Sequence, residues 1–262
     1  MDNSEISNRK DVKKLLVLAT LAGDIMLRSG AEIYRVEDTT VRICKSRKGI
    51  KYVEAYIVPT GIFLSLEYNG ELISYIKRVK TISIDLNKIA LVNEFSRSFV
   101  NSRMSITDGL EELKKINKIN SYTKLTKSIF GSFAAAFFCV LLGGSALDFV
   151  ASAIVSFIVV GIINLISKFE LTFFINNLFG SMLAAALSHI LVKIGIGGNL
   201  DKVIIGSIMC LVPGVPITNA IRDTMSGDFL SGLSRGMEAV FSALAIALGV
   251  GIVLNFYVKG VF

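Results

Sequence analysis

The sequence predicts an integral membrane bundle of five transmembrane α-helices preceded by a soluble, mixed α/β cytoplasmic domain. The first observation is composition: 52% of the 262 residues are hydrophobic, which is too apolar for an ordinary soluble domain. The second is charge, because residues 1–127 hold 22 of the 28 Lys and Arg residues and account for the whole net charge of +7. The third is a series of long uncharged stretches after residue 127. The predicted domains are therefore 1–127 and 128–262.

The N-terminal part alternates between helical and strand-like patterns. Apolar residues recur at helical spacing from Leu15 to Met26, and Asp24 and Arg28 interrupt the apolar run, which favours an amphipathic helix over a signal peptide. Asn69-Gly70 between two strand-like runs predicts a hairpin turn. Later helices are expected over 86–99 and, from an N-cap at Thr107, through residue 119. The remaining predicted elements are a helix over 31–48 and strands over 52–58, 61–68 and 71–78.

The densest charge pattern of this part follows Gly30. Arg35 and Asp38 have i,i+3 spacing, and Asp38 and Arg42 have i,i+4 spacing, so all three can share one helix face. A solvated face with weak salt bridges explains such a pattern by itself. The candidate residues of this motif are Gly30, Tyr34, Arg35, Glu37 and Asp38.

Five stretches of the C-terminal part are long and apolar enough to cross a bilayer, which takes about 20 residues. An odd number of spans places the two termini on opposite sides of the membrane. The many Lys and Arg residues before the first span favour a cytoplasmic N-terminus. The predicted spans are 128–147, 149–167, 171–192, 203–221 and 239–258.

The fourth span is interrupted. Pro213, Gly214 and Pro216 fall within four residues near its end, and prolines lack the N–H that a continuous helix needs. Broken backbone at membrane depth is tolerated where it is buried in protein or lines a polar cavity, which is why interrupted helices occur at transporter binding sites. The break is expected in the inner half of the span, where a substrate leaving the cytoplasm would first be captured.

A polar cluster follows the break. Asn219 and Asp223 have i,i+4 spacing, and Arg235 and Glu238 can share a helix face. Helix caps and a surface turn explain part of this composition. Polar groups in or beside membrane spans are nevertheless costly and are candidates for function. The candidate residues of the cluster are Asn219, Arg222, Asp223, Asp228, Arg235 and Glu238.

Enzyme and metal chemistry have no visible constellation. The sequence has no nucleophile elbow, no phosphate-binding glycine loop and a single histidine, His189. His189 could relay protons or lie at the membrane interface. The three cysteines of the chain are far apart, so neither a disulfide framework nor a zinc site is indicated. We expect no cofactor, no metal, no catalytic residues and no nucleic-acid partner.

Taken together, these motifs resemble the threonine/serine exporter family, in the form of its larger, split subunit. The resemblance covers nearly the whole chain. It rests on Gly30-Ala31 with Tyr34 to Asp38, on Leu142-Gly143-Gly144-Ser145 before Asp148, and on Leu211-Val212-Pro213-Gly214 through Asn219, Arg222-Asp223, Gly227-Asp228 and Ser231-Gly232.

The resemblance implies a cell-membrane exporter of small amino acids, with relatives that export dicarboxylates such as succinate. It also implies a smaller integral-membrane partner subunit, and it leaves a homo-oligomer open. Arg222, Arg235 or free N–H groups after Pro216 could bind a substrate carboxylate, and Asp223 or Glu238 could carry a coupling proton. Two alternatives remain from the residues: a membrane-anchored enzyme, or a regulatory scaffold whose N-terminal part binds a metabolite.

Overall fold

The computed structural model describes residue 6 and residues 8–80, 82–119, 122–166 and 172–259. Within them the chain is predominantly helical. The helices are α1 Arg9–Arg28, α2 Ile33–Lys45, α3 Leu86–Asn101, α4 Ile106–Lys118, α5 Lys124–Leu141, α6 Ala146–Ile166, α7 Phe173–Lys193, α8 Leu200–Ile208, α9 Gly214–Met225 and α10 Phe229–Val258. The strands are β1 Ile50–Val58, β2 Gly61–Tyr68 and β3 Glu71–Arg78.

The chain forms two compact units. The first comprises residues 1–121 and 215–236, and the second comprises residues 122–214 and 237–262. The first unit therefore includes most of α9 and the beginning of α10, although both are far along the chain from α1 to α4.

The first unit is built around α1 and a three-stranded antiparallel sheet in the order β1-β2-β3. Tyr68 pairs with Glu71, so Asn69 and Gly70 form a two-residue turn, and both have positive φ angles (50° and 79°). This geometry confirms the predicted hairpin. Large apolar side chains fill one core, including Leu15, Leu16 and Phe99. Residues 61–68 and 71–78 are strands as predicted, whereas the N-cap of α4 is Ser105 rather than the predicted Thr107.

The second unit packs α5, α6, α7, α8 and the later part of α10 through small residues. A Cβ at Gly206 would lie 2.7 Å from the Cβ of Cys139 and 3.1 Å from the carbonyl oxygen of Ala135. Gly206 therefore lets α8 approach α5 closely, as small residues do in membrane bundles. The buried apolar clusters of this unit are small, for example Val155, Val159 and Ala184.

Four helices are long and apolar enough to cross a membrane: α5, α6, α7 and α10. Leu200–Leu211 and Gly214–Met225 meet the same criterion only as a pair, and the pair is bent by 58° at the break. If this pair is one span, the described residues hold five. The ends of two predicted spans, Ser167 and Leu171, lie outside the described residues.

The predicted fold class is wrong in one part and supported in the other. A helical membrane bundle is supported by the four or five candidate spans. A self-contained soluble α/β domain ahead of the bundle is not, because the first unit takes in residues 215–236 and its sheet is small. Hydropathy along the chain could not reveal this, since residues 215–236 are recruited by contacts with side chains and backbone groups about 190 positions away. The division into domains at residues 1–127 and 128–262 stays a prediction.

Candidate functional site

The break predicted between Pro213 and Pro216 separates α8 from α9. After α8, Met209–Leu211 form one 3-10 turn, and Val212 is extended, as expected for a residue before proline. Pro216 lies in the first turn of α9, where a missing N–H costs nothing. A Cβ on Gly214 would meet no atom within 4 Å. The two prolines therefore account for the interruption, and space does not demand a glycine at residue 214.

The polar face of α9 binds the connection between α1 and α2. The Asn219 amide donates a hydrogen bond to the carbonyl oxygen of Gly30 (2.9 Å). One turn later, Oδ1 of Asp223 accepts a hydrogen bond from the backbone N–H of Ile33 (3.1 Å). Both side chains are buried. The i,i+4 spacing of these two residues thus serves to hold two ends of one short segment.

Two arginines complete this arrangement. Arg222 forms a charged hydrogen bond with Glu32, and Arg235, at the start of α10, donates to the carbonyl oxygen of Ala31 (2.9 Å). Nε of Arg235 also lies 3.4 Å from Oδ2 of Asp223, and both side chains are almost fully buried. We call Asn219, Arg222, Asp223 and Arg235 the clamp, and Gly30–Ile33 the clamped turn. Each of the four residues of the clamped turn contacts one clamp residue.

Two helix-ending glycines position the clamped turn and the clamp. Gly30 has φ of 87°, and the N–H of Ala31 bonds back to the Met26 carbonyl, which is the pattern of a glycine that ends a helix. Gly227 has φ of 93° and ends α9 in the same way, with the N–H of Asp228 bonded to the Asp223 carbonyl. Residues with a Cβ adopt this backbone region at a cost. The two glycines therefore fix where α2 and α10 begin relative to the helices before them.

The other predicted residues of the N-terminal motif lie outside the clamp. Tyr34 is exposed. Asp38 pairs with Arg42 (2.5 Å) on an exposed face, whereas Arg35 pairs with Glu32 (3.5 Å). Glu37 is half-buried, and its pKa is raised by burial first and then by the nearby Asp228 and Glu54 carboxylates.

The remaining members of the predicted cluster have different positions. Asp228 precedes α10 and contributes to the electrostatics of Glu37. Glu238 was predicted to share a helix face with Arg235. It belongs to the second unit, and Arg235 forms its ion pair with Asp223.

Sequence reasoning missed the groups of the clamped turn that the clamp binds. Glu32 is 8% exposed and lies between Arg35 and Arg222, so it is the central carboxylate of the site. Its i,i+3 spacing to Arg35 was a usable signal. The Gly30 and Ala31 carbonyls and the Ile33 N–H are backbone groups, which every residue carries, so no residue type could reveal them.

Asp148, in the Leu142–Ser145 motif region, has a structural role. Its Oδ2 accepts hydrogen bonds from the backbone N–H and the hydroxyl of Ser145 (both 2.8 Å). Its Oδ1 accepts from the N–H groups of Gly198 and Asn199 (2.7 and 2.9 Å). The carboxylate caps α6 and ties down the loop before α8, which accounts for its burial.

His189 and the cysteines offer no assembled chemical site. The His189 ring packs against Tyr257, with ring centroids 4.3 Å apart. Cys44, Cys139 and Cys210 are free thiols. In the described part of the chain, no group of three or more His, Cys, Asp or Glu residues is placed to hold a metal ion.

A comparison with protein families identifies the family of this chain. The family described as threonine/serine exporters matches residues 17–257. The chain belongs to the threonine/serine exporter family. The match spans the clamped turn, the clamp and the candidate membrane helices, except for the last residue of α10. It makes the chain a multi-pass membrane protein of an exporter family and argues against classification as an enzyme.

Curated relatives agree with this assignment. The chain is 24% identical over 246 residues to the probable succinate transporter subunit YjjP of Escherichia coli strain K12, covering 93% of this chain and 94% of that protein. It is 23% identical over 251 residues to the protein of the same name from Klebsiella aerogenes, covering 95% and 94%. A probable threonine/serine exporter of Mycobacterium tuberculosis is 21% identical over 245 residues, which cover 93% of this chain but 46% of that protein. No solved structure matches the chain.

Proposed function

We propose that this chain is the larger subunit of a two-component, proton-coupled exporter of threonine and serine or of a related small carboxylate. Relatives that align along almost their whole length are named transporter subunits, and one named an exporter is about twice as long as the aligned region. A smaller integral-membrane partner subunit is part of the proposal, because the relatives that align along almost their whole length are named subunits. The basic N-terminal part favours a cytoplasmic N-terminus in the cell membrane.

The observation that carries the proposal is the interrupted helix pair, whose second half, α9, bears three of the four clamp residues. A break leaves backbone groups without their usual helical partners, and transporters use such groups to bind charged substrates and to move. The clamp joins α9 and α10 to the clamped turn by side-chain contacts, and the contact of the exposed Arg222 can be exchanged for a contact with a ligand. We propose that the clamp and the clamped turn together form the gate.

Arg222 is the best candidate for the substrate contact. Its side chain is 54% exposed while that of its partner Glu32 is 10% exposed, so a ligand can approach the guanidinium. A substrate carboxylate has the same chemistry as the Glu32 carboxylate and can replace it in a bidentate pair. Exchange of the two carboxylates would release one of the four contacts of the clamped turn. Asp223 and Arg235 are too deeply buried for this exchange, so we assign them to holding the gate together.

Glu37 is a candidate for the coupling proton. Burial, and then the neighbouring Asp228 and Glu54 carboxylates, raise the pKa of Glu37, so this carboxyl can hold a proton at a higher pH than an ordinary glutamate would. Asp223 and Glu238 remain candidates for this role from the sequence.

Transport in everted membrane vesicles tests the proposal. Vesicles from cells that express the chain with its partner subunit should accumulate labelled threonine, serine or succinate when a proton gradient is imposed, and vesicles without the partner should not. Arg222→Gln should lower the initial uptake rate at least ten-fold, because it removes the charge that binds the carboxylate. Arg42→Gln is the matched control, since Arg42 is also an exposed arginine with a carboxylate partner.

Three results would count against the proposal. Equal uptake by the Arg222→Gln and Arg42→Gln proteins would exclude Arg222 as the substrate contact. Full proton-dependent uptake by Glu37→Gln, Asp223→Asn and Glu238→Gln would exclude those proton carriers. Absence of uptake of all three compounds with the partner present would exclude the substrate class.

A further inference from the structure

A second cationic feature of the first unit lies next to the clamped turn and is not used by the gate. It is a cavity of about 300 Å³, lined by Ile25, Arg28, Ser29, Ser83, Lys88 and Asn117. The volume is at the lower end of the range for small-ligand sites. Five of the six lining residues are polar and two carry a positive charge. We call it the Arg28 cavity.

The donors of the Arg28 cavity are only partly used within the protein. Arg28 lies 3.4 Å from the Asp24 carboxylate and donates a weak hydrogen bond to Asn117 Oδ1 (3.3 Å). Its Nε is buried and has no hydrogen-bond partner among the described residues. A buried guanidinium N–H without an acceptor is costly, so the donors of Arg28 are incompletely satisfied in the described structure.

Lys88 supplies a second positive charge. Its Nζ donates to the backbone carbonyl of Asn117 (3.2 Å), and an ammonium group carries three donors. Two carboxylates of this region have contacts of their own: Asp24 pairs with Arg28, and Asp85 Oδ1 accepts the backbone N–H of Lys88 as the cap of α3. The hydroxyls of Ser29 and Ser83 add further donors. This set suits a small anion better than a neutral or cationic ligand.

The wall of the cavity is continuous with the gate. The Ser83 N–H bonds to the Arg28 carbonyl (2.7 Å), and the Asp85 N–H bonds to the Ser29 carbonyl (3.1 Å). The next residue, Gly30, begins the clamped turn and accepts the hydrogen bond of Asn219. A ligand held by Arg28, Ser29 and Lys88 would therefore act on the backbone segment that the clamp holds.

We propose that the Arg28 cavity binds a small carboxylate of the exported class and regulates the gate through the clamped turn. The choice of ligand rests on the proposed function, whereas the anion site itself rests on the lining residues. Bound carboxylate would complete the partners of Arg28 and fix residues 28–30, so cytoplasmic substrate could adjust export to its own concentration.

Calorimetric titration of the purified full-length chain in detergent tests the cavity apart from transport. The protein should carry Arg222→Gln, so that binding at the gate is removed. Succinate and threonine are the probes, and threonine amide, which lacks the carboxylate, and inorganic phosphate are the comparison ligands. We expect saturable binding of at least one carboxylate and a ten-fold or greater loss of affinity when Lys88→Gln is added.

Lys13→Gln, an exposed lysine of α1 away from the cavity, is the matched control and should leave the affinity unchanged. Melting temperatures of the three proteins show whether each is folded, and Ser83→Ala offers a milder change should Lys88→Gln lower stability. Absence of saturable carboxylate binding, equal weakening by Lys13→Gln and Lys88→Gln, or binding of phosphate alone would overturn the inference. Failure of vesicle uptake with intact binding would overturn the proposed function and leave the cavity site standing.

Discussion

The two compact units are stabilised in different ways. The first contains one large apolar core and, at its edge, a network of charges and backbone hydrogen bonds around the clamped turn. The second contains small apolar clusters, buried serines and glycines at helix contacts. The difference follows from what surrounds each unit. In water, burying an apolar side chain is favourable because it removes the side chain from water. In a bilayer, moving the same side chain from lipid to protein lowers the free energy little, so membrane helices associate by close packing of small residues.

The two units should therefore be destabilised by different kinds of substitution. The clamp of the first unit should be sensitive to loss of a single charge and tolerant of modest changes in volume. The helix bundle of the second unit should be sensitive to a single added methyl group. Four stability measurements test this difference between the units.

The largest effect is expected from Asp223→Ala. It leaves Arg235 buried without its charge partner and the Ile33 N–H without an acceptor, which should lower the free energy of unfolding by about 3–5 kcal/mol. Denaturant unfolding in detergent measures this. The double variant Asp223→Ala with Arg235→Met should recover part of the loss, since it removes both charges. No recovery would mean that the buried pair is not what the substitution broke.

In the second unit, Gly249→Ala should destabilise by about 1–3 kcal/mol through overpacking. The new Cβ would overlap the Ser181 hydroxyl and lie 2.6 Å from the backbone carbonyl oxygen of Leu178 on α7. Gly251→Ala is the control on the same helix, because no atom lies within 4 Å of its Cβ position. Thermal unfolding of both variants measures the difference. Equal melting temperatures would show that close packing of α10 on α7 does not limit stability.

A smaller effect is expected from Glu32→Gln. It weakens the ion pairs with Arg222 and Arg35 but keeps the shape of the side chain, so the loss should be about 1–2 kcal/mol. Asp38→Asn, on the same helix, breaks an exposed ion pair with Arg42 and should cost well under 1 kcal/mol. If denaturant midpoints of the two variants coincide, burial of Glu32 gives the clamp no advantage over a surface pair.

The smallest effect is a pH dependence from Glu37. Burial and the Asp228 and Glu54 carboxylates raise its pKa above the ordinary value of 4.5. The folded chain therefore holds this proton more tightly than the unfolded chain. The resulting stabilisation is complete below about pH 4.5 and is lost as the pH rises through the raised pKa.

Melting temperatures between pH 4 and pH 8 measure the effect. Glu37→Gln should flatten part of the slope, and the remainder should persist because burial also raises the pKa of Asp24. Glu111→Gln, which removes one exposed negative charge from α4, should keep the full slope. An unchanged slope in Glu37→Gln would show that this carboxyl does not titrate with folding.

Much of the fold could be read from local patterns. The spacing of apolar residues located α1, α3 and the candidate spans, and the Asn69-Gly70 turn set the β2–β3 register. The paired prolines located the break between α8 and α9. These features depend on interactions between residues within a few positions of one another, so composition and periodicity suffice to find them.

The ends of elements were less accurate. α10 begins at Phe229, ten residues before the predicted span, because Gly227 ends α9 and a new helix starts at once in the polar segment. Hydropathy reports only the apolar part of such a helix. The prediction of a separate soluble domain failed for a related reason, since residues 215–236 carry their own helical pattern and nothing local ties them to α1 and α2.

The sequence by itself determined that this chain has several helices able to cross a membrane, that the helical segment after residue 200 is broken near Pro213, and that polar residues gather after the break. Only the tertiary structure decided what those residues do: Asn219, Asp223 and Arg235 bind backbone groups of the clamped turn, and Arg222 binds Glu32. The physical reason is that backbone donors and acceptors are the same in every residue. Which of them a side chain meets depends on where the chain returns in space, and a pattern along the sequence carries no record of that.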